Sequence, residues 1–249
     1  MANMFDPDLK LKWAKKHLDA LAIEVDIFRK SNKYVITTQD DLENGWYVIR
    51  FQLPYDDRSF TIALMAGDFI ACLRSCLDHL AWQLALFSGK IPTREICFPI
   101  CDKDTVDTQV KIARSTFGIP DAAVTIMKAF QPYKSGDDYK STYLWRLNEL
   151  WNIDKHRHIA PHGAVTDWLF KLDVPEPTSF PVKELDDGGI MNIPIALKDK
   201  VQFNPTPGEI NIFFGDKPQG LEAGIEDFFR MHQFIADTVF PAFSSFFPK

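Results

Sequence analysis

Residues 143–159, Tyr-Leu-Trp-Arg-Leu-Asn-Glu-Leu-Trp-Asn-Ile-Asp-Lys-His-Arg-His-Ile, constrain the fold more than any other stretch. Leu144, Leu147, Leu150 and Trp151 recur three and four apart, so a helix through them buries one face. Asn148, Asn152, Lys155 and His156 fall on a neighbouring stripe of that helix. Polar residues so dense beside an apolar seam mark either a site or a buried polar network joining two helices. Pro161 places the helix end near His158, because the residue before a proline avoids the helical region.

A second amphipathic helix is predicted over residues 59–88, with Gly89 as its stop and Gly67 as a point where it bends or restarts. Phe69, Leu73, Cys76, Leu77, Leu80 and Leu84 form its buried face, and Asp78-His79 lies beside them. Buried polar groups must find partners, so the pattern predicts Asp78 and His79 bonded across the interface to Asn152, Asp154 and His156. Arg74 and Asp78 are four apart, an ordinary helical salt-bridge spacing worth a few tenths of a kcal/mol.

The remaining elements flank this pair. Leu11, Ala14, Leu18, Leu21, Val25 and Phe28 mark the inner face of a helix over 9–30, with Lys12, Lys15, Lys16 and Asp19 outside. Apolar runs 34–38 and 46–53, separated by Asp40–Gly45, predict a β-hairpin. Phe98-Pro99-Ile100 is an extended connector, followed by short helices over 104–117 and 120–130 and a loop from Gln131. Strand candidates are 168–172, 190–197, 201–203 and 210–214, the last two joined as a hairpin through Pro205-Thr206-Pro207-Gly208. Residues 174–188 are expected as an exposed loop, and 220–240 as a last helix with Leu221, Ile225, Phe228, Phe229, Ile235 and Val239 inward. Phe240, Phe243, Phe246 and Phe247 are expected in the core, and His232 and His17 on the surface. The expectation is one α+β domain, residues 1–249, an antiparallel helical bundle with β-hairpins packed at one side. Its helical core covers about 9–30, 59–160 and 220–246, and its β elements about 33–53 and 164–215.

Composition narrows the function classes. A formal charge of −6 excludes a broad phosphate-tracking surface, and with it an extended DNA-binding face. Residues 1–8 lack the apolar core of a signal peptide, and Asp68, Arg74, Asp78 and His79 interrupt the longest apolar stretch, 60–87. No membrane contact and a cytoplasmic setting are therefore expected. The four cysteines, Cys72/Cys76 and Cys97/Cys101, lack the Cys-x2-Cys knuckle spacing of zinc sites and read as free structural thiols. The chain has no Gly-rich phosphate loop and no nucleophile elbow, so no cofactor is expected.

Leu73-Arg74-Ser75-Cys76-Leu77-Asp78-His79-Leu80-Ala81-Trp82-Gln83-Leu84, then Phe98-Pro99-Ile100, Gln131-Pro132-Tyr133 and Leu147–Arg157, together resemble a family of uncharacterised bacterial proteins. The resemblance covers roughly residues 60–160, with a weaker echo in 201–215, and implies no particular activity. Arg157-His158-Ile159-Ala160-Pro161-His162 is more distantly similar to the Arg-polar-x-His mark of HEPN (higher eukaryotes and prokaryotes nucleotide-binding) domains. Those helical domains often cleave RNA in toxin and phage-defence systems. That resemblance implies His162 as general acid or base, Arg157 as the stabiliser of phosphate charge and His158 at the polar position. It also implies RNA and a second copy of the chain as candidate partners. Asp78, His79, Asn152, Asp154 and His156 join the candidate site residues on their own pattern, since a buried polar network is compatible with catalysis nearby. Pro161 departs from the pattern by interrupting the helix between Arg157 and His162. His79, His158 and His162 also resemble the three-histidine metal site of DinB-type bundles, with the same proline against that geometry.

Overall fold

A computed structural model describes residues 2–32, 35–52, 57–157, 159, 161–165, 170–172, 180, 182–185, 188–203, 210–216 and 221–247. The fold is α+β, with long helices and antiparallel sheets. The chain divides into two compact units, Met1–Leu21 with Leu64–Ile159 and Gly215–Lys249, and Ala22–Ala63 with Ala160–Phe214. The division falls within the two longest helices, α1 (Phe5–Ser31) and α2 (Asp57–Phe87).

The first unit is the helical one. It holds most of α2, then α3 (Val106–Ser115), α4 (Asp121–Ala129), α5 (Tyr143–His156) and α6 (Ile225–Phe234). Its core is the apolar periodicity of those helices. Leu73, Leu77 and Leu80 of α2, Leu147 and Leu150 of α5, and Phe228 of α6 are all fully buried. Phe69 and Phe228 pack ring to ring at 5.1 Å. Thr142 caps α5 by accepting from the Trp145 N–H, as its hydroxyl is suited to do. Phe240, Phe243 and Phe247 are buried, Phe243 against Phe98 and Phe130.

Two expectations for this unit change. The last helix begins at Ile225, because Asp227 accepts the Gly224 N–H at 3.0 Å and caps it there. The preceding Leu221–Gly224 is a strand, β9. Beyond α6 the helix widens into a π turn, Ile235–Val239, before a last helical turn at Phe240–Ala242. α2 runs through Gly67 without interruption. A Cβ there would lie 2.2 Å from Asp154 Oδ1, so this glycine leaves room for the Asp154 carboxylate of α5.

The second unit is mainly sheet. β1 (Val35–Asp41) and β2 (Trp46–Gln52) form the expected hairpin, with Asp41 opposite Trp46. β2 then pairs with β6 (Gly188–Pro194), and β6 with β5 (Val182–Leu185), giving the order β1-β2-β6-β5. Tyr47, Ile49 and Phe51 of β2 are buried with Met191 and Ile193 of β6, following the two-residue strand period. The expected exposed loop 174–188 therefore contains a strand. The expected pairing of 201–203 with 210–214 is also replaced. β7 (Val201–Phe203) pairs with β4 (Phe170–Leu172), and β8 (Ile210–Asp216) pairs with β3 (Pro161–Val165). A three-residue strand carries too little patterning to select its neighbour, and tertiary pairing decides. The Pro205–Gly208 turn and Trp168 lie outside the described residues.

Helix α2 is long and apolar enough to cross a membrane by length and composition, against the expectation that no stretch approaches a span. Its most apolar window is 56% buried inside the protein. An amphipathic core helix meets the same criterion.

Candidate functional site

The polar residues of α2 gather around a backbone segment rather than around α5. Arg74 lies within the buried face, where a guanidinium must be paired. It donates from Nη1 to Asp78 Oδ1 at 2.6 Å and from Nη2 to the Phe98 carbonyl at 2.9 Å. Asp78 Oδ1 also accepts the Phe98 N–H at 2.9 Å. The pair thus holds both polar groups of one residue in the connector. The guanidinium sits 5.1 Å from the centre of the Trp151 ring on α5, and Lys155 places its Nζ 3.5 Å from that centre. Among the described residues Arg74 Nε has no hydrogen-bond partner.

Gln131 completes the grip. Its Oε1 accepts the Cys101 N–H at 2.9 Å, and its Nε2 donates to the carbonyls of Pro99 at 2.8 Å and Met127 at 3.0 Å. The Cys97 N–H reaches Ser115 O at 3.1 Å, and the Tyr133 N–H reaches Cys101 O at 3.3 Å. An extended segment buried without a neighbouring strand has to satisfy its backbone some other way. Here three side chains and two backbone groups do it. The motif residues Arg74, Asp78, Phe98, Pro99 and Gln131, scattered in sequence, meet at this one connector.

The predicted network between α2 and α5 takes a different form. Asp78 is committed to Arg74 and Phe98, and among the described residues no hydrogen bond involves the His79 side chain, which is half-buried. Asn148 and Asn152 both donate to Glu149 Oε1, at 3.4 and 3.3 Å, so the polar stripe of α5 satisfies itself. Asp154 lies against Gly67, eleven residues before Asp78, which is about 16 Å along a helix. Asp154 of α5 therefore meets α2 at a different level from Asp78. His156, the last residue of α5, is exposed.

Arg157 is the C-cap of α5, its N–H donating to Ile153 O at 2.8 Å. Its guanidinium pairs with Asp216, with the arginine side chain 62% exposed and the carboxylate 10%. Pro161 opens β3, so His162 is a strand residue of the second unit, opposite Phe213. Arg157 and His162 therefore stand on different elements, as a proline between them dictates. His158 lies outside the described residues.

The thiols carry no activating environment. Burial pushes all four upward, Cys76 furthest, so they stay protonated at neutral pH, and all four are free. Among the described residues no three His, Cys, Asp or Glu side chains converge as metal ligands. Two clefts, of about 500 Å³ beside Lys90 and Lys128 and about 370 Å³ beside Asp8 and Phe247, include none of the candidate residues.

Arg146 had no mark in the sequence. It donates to Asp227 Oδ1 at 3.3 Å and to the Glu222 carbonyl, tying α5 to the start of α6. Its partners lie about 80 residues away, beyond the reach of any local pattern. His232, expected on the surface, is half-buried with Nε2 3.1 Å from Leu11 O, and burial lowers its pKa. No protein-family model, curated protein or solved structure matches the chain.

Proposed function

We propose that this chain is a non-enzymatic interaction protein whose conspicuous polar motifs hold its helical unit together. The observation that carries the reading is the Arg74–Asp78 pair gripping both the amide and the carbonyl of Phe98. Residues spent on backbone groups in this way are occupied in the resting fold, whereas a reacting group must be open to its substrate. The reading sets the chain in the cytoplasm, with α2 as a core helix. The buried share of its apolar window supports that assignment.

A HEPN-like RNA-cleaving protein of a defence or toxin system is the second reading. It draws on the exposure of the Arg157 guanidinium, which leaves it reachable by a phosphate. One assay separates the two. Purified protein is incubated with single-stranded RNA without added metal, and the products are resolved by end group. The interaction reading predicts intact RNA. Cleavage leaving a 2′,3′-cyclic phosphate, lost in Arg157→Ala and in His162→Ala, would replace it with the RNase reading.

A further inference from the structure

Helix α1 has two apolar faces, and only one is covered. Leu11, Ala14, Leu18, Leu21, Val25 and Phe28 are buried, while Leu9, Trp13, Ile23 and Ile27, joined by Phe5 at the start, lie on the opposite side, 38–68% exposed. Leu9, Trp13, Lys16, Ala20, Ile23 and Ile27 are spaced four, three, four, three and four apart, the a/d alternation of a coiled-coil seam. The a positions are Trp13, Ala20 and Ile27, and the d positions are Leu9, Lys16 and Ile23. Lys16 extends its ammonium over the Trp13 ring, 5.1 Å from its centre. A helix needs one apolar face to join its own core, and a second with heptad spacing fits another helix.

The flanking charges specify which helix. Lys12, Asp19 and Asp26 occupy the g positions and Lys10, His17 and Glu24 the e positions. In an antiparallel pair g faces g and e faces e. The register that sets Trp13 against Ile23, Leu9 against Ile27 and Lys16 against Ala20 also sets Lys12 against Asp26 and Lys10 against Glu24. The core row and four of the six rim pairs agree on a two-fold register centred near Leu18, as a self-complementary surface requires; at the dyad His17 meets His17 and Asp19 meets Asp19, each of those carboxylates held by Lys15 of its own helix at 2.5 Å. The competing contacts are modest. Asp26 meets Lys30 on the same helix at 2.6 Å, and Glu24 meets Arg58 at 3.3 Å, both pairs at least partly exposed. At about 200 Å² for a large side chain, the half-exposed stripe offers on the order of 500 Å² of apolar surface. With its charged rims it approaches the roughly 800 Å² per partner of a standard interface.

We infer that the outer face of α1 is a homodimer interface, formed by antiparallel pairing with α1 of a second copy of this chain. The inference goes beyond both functional readings, since neither assigns a role to α1, and its test is independent of RNA cleavage.

Sedimentation equilibrium on the full chain tests it. Wild type should form a dimer at micromolar concentration. Trp13→Glu and Ile23→Glu should each weaken association by more than about 100-fold, with helical circular dichroism unchanged because both side chains are exposed. Lys12→Glu and Asp26→Lys should each weaken it by about 10-fold, and an equimolar mixture of those two variants should regain wild-type affinity, since each glutamate then meets a lysine. A wild type that stays monomeric at about 100 µM would overturn the proposal. So would a dimer indifferent to Trp13→Glu and Ile23→Glu, or a mixture no tighter than either variant alone.

Discussion

Two arginine–aspartate pairs in the helical unit share a chemistry and differ in everything else. Arg74 and Asp78 sit one helical turn apart with side chains 5% and 30% exposed, and their remaining hydrogen-bonding capacity goes to the Phe98 backbone. Arg157 and Asp216 meet from distant positions, with the arginine 62% exposed. A guanidinium removed from water is costly unless its partners are fixed, so the buried pair is bound to the fold around it. An exposed guanidinium keeps most of its hydration and can exchange its partner. Spacing made Arg74 look ordinary and motif made Arg157 look special; burial reverses that order.

Breaking the buried pair should have the largest effect. Arg74→Ala leaves Asp78 without its counter-charge and the Phe98 carbonyl without a donor. Chemical denaturation should show a loss of about 3 kcal/mol. Gly67→Ala should come next, at about 1 kcal/mol, because the added methyl displaces the Asp154 carboxylate from its place against α2. A loss under about 0.5 kcal/mol would mean that the Asp154 side chain turns aside freely.

Histidines extend the contrast on a smaller scale. Burial lowers the pKa of His232, while the Leu11 carbonyl bonds the ring. Its folded pKa lies below its unfolded value, so the unfolded chain takes up the proton first as pH falls. Stability is therefore whole above about pH 7 and declines as pH drops through the unfolded value near 6.5 toward the folded one. His232→Gln should flatten that part of the pH–stability curve, as urea midpoints measured between pH 7 and 5 would record. Smallest of all, Arg157→Ala should change stability by less than about 1 kcal/mol. A larger loss would place Arg157 with the structural residues.

Helical content was legible wherever periodicity was strong. The seam through Leu144, Leu147 and Leu150 and the face through Leu73, Leu77 and Leu80 are buried as their spacing requires. Strand pairing was less legible because partner choice is tertiary. β7 and β8, neighbours in sequence, pair with different strands. Leu185 of β5 pairs with Gly188 of β6, and the Asp186-Asp187-Gly188 run after Leu185 is turn chemistry inside a stretch assigned to loop. The motif segments pointed to the right residues and the wrong contacts. Arg74, Asp78 and Gln131 bond to backbone atoms of the connector, and a backbone acceptor carries no mark in a sequence. The second apolar face of α1 was present as spacing, yet only exposure separates an uncovered stripe from a core one.

The central claim is that side chains hold the connector as firmly as a neighbouring strand would. Native-state hydrogen exchange of the Phe98 and Cys101 amides, which donate to Asp78 and Gln131, tests it most directly. Both amides should exchange as slowly as the core amides of α2, opening only with the whole helical unit, and in Arg74→Ala the Phe98 amide should lose that protection first. Fast exchange of the Phe98 and Cys101 amides in the wild type, at the rate of a surface loop, would contradict the account.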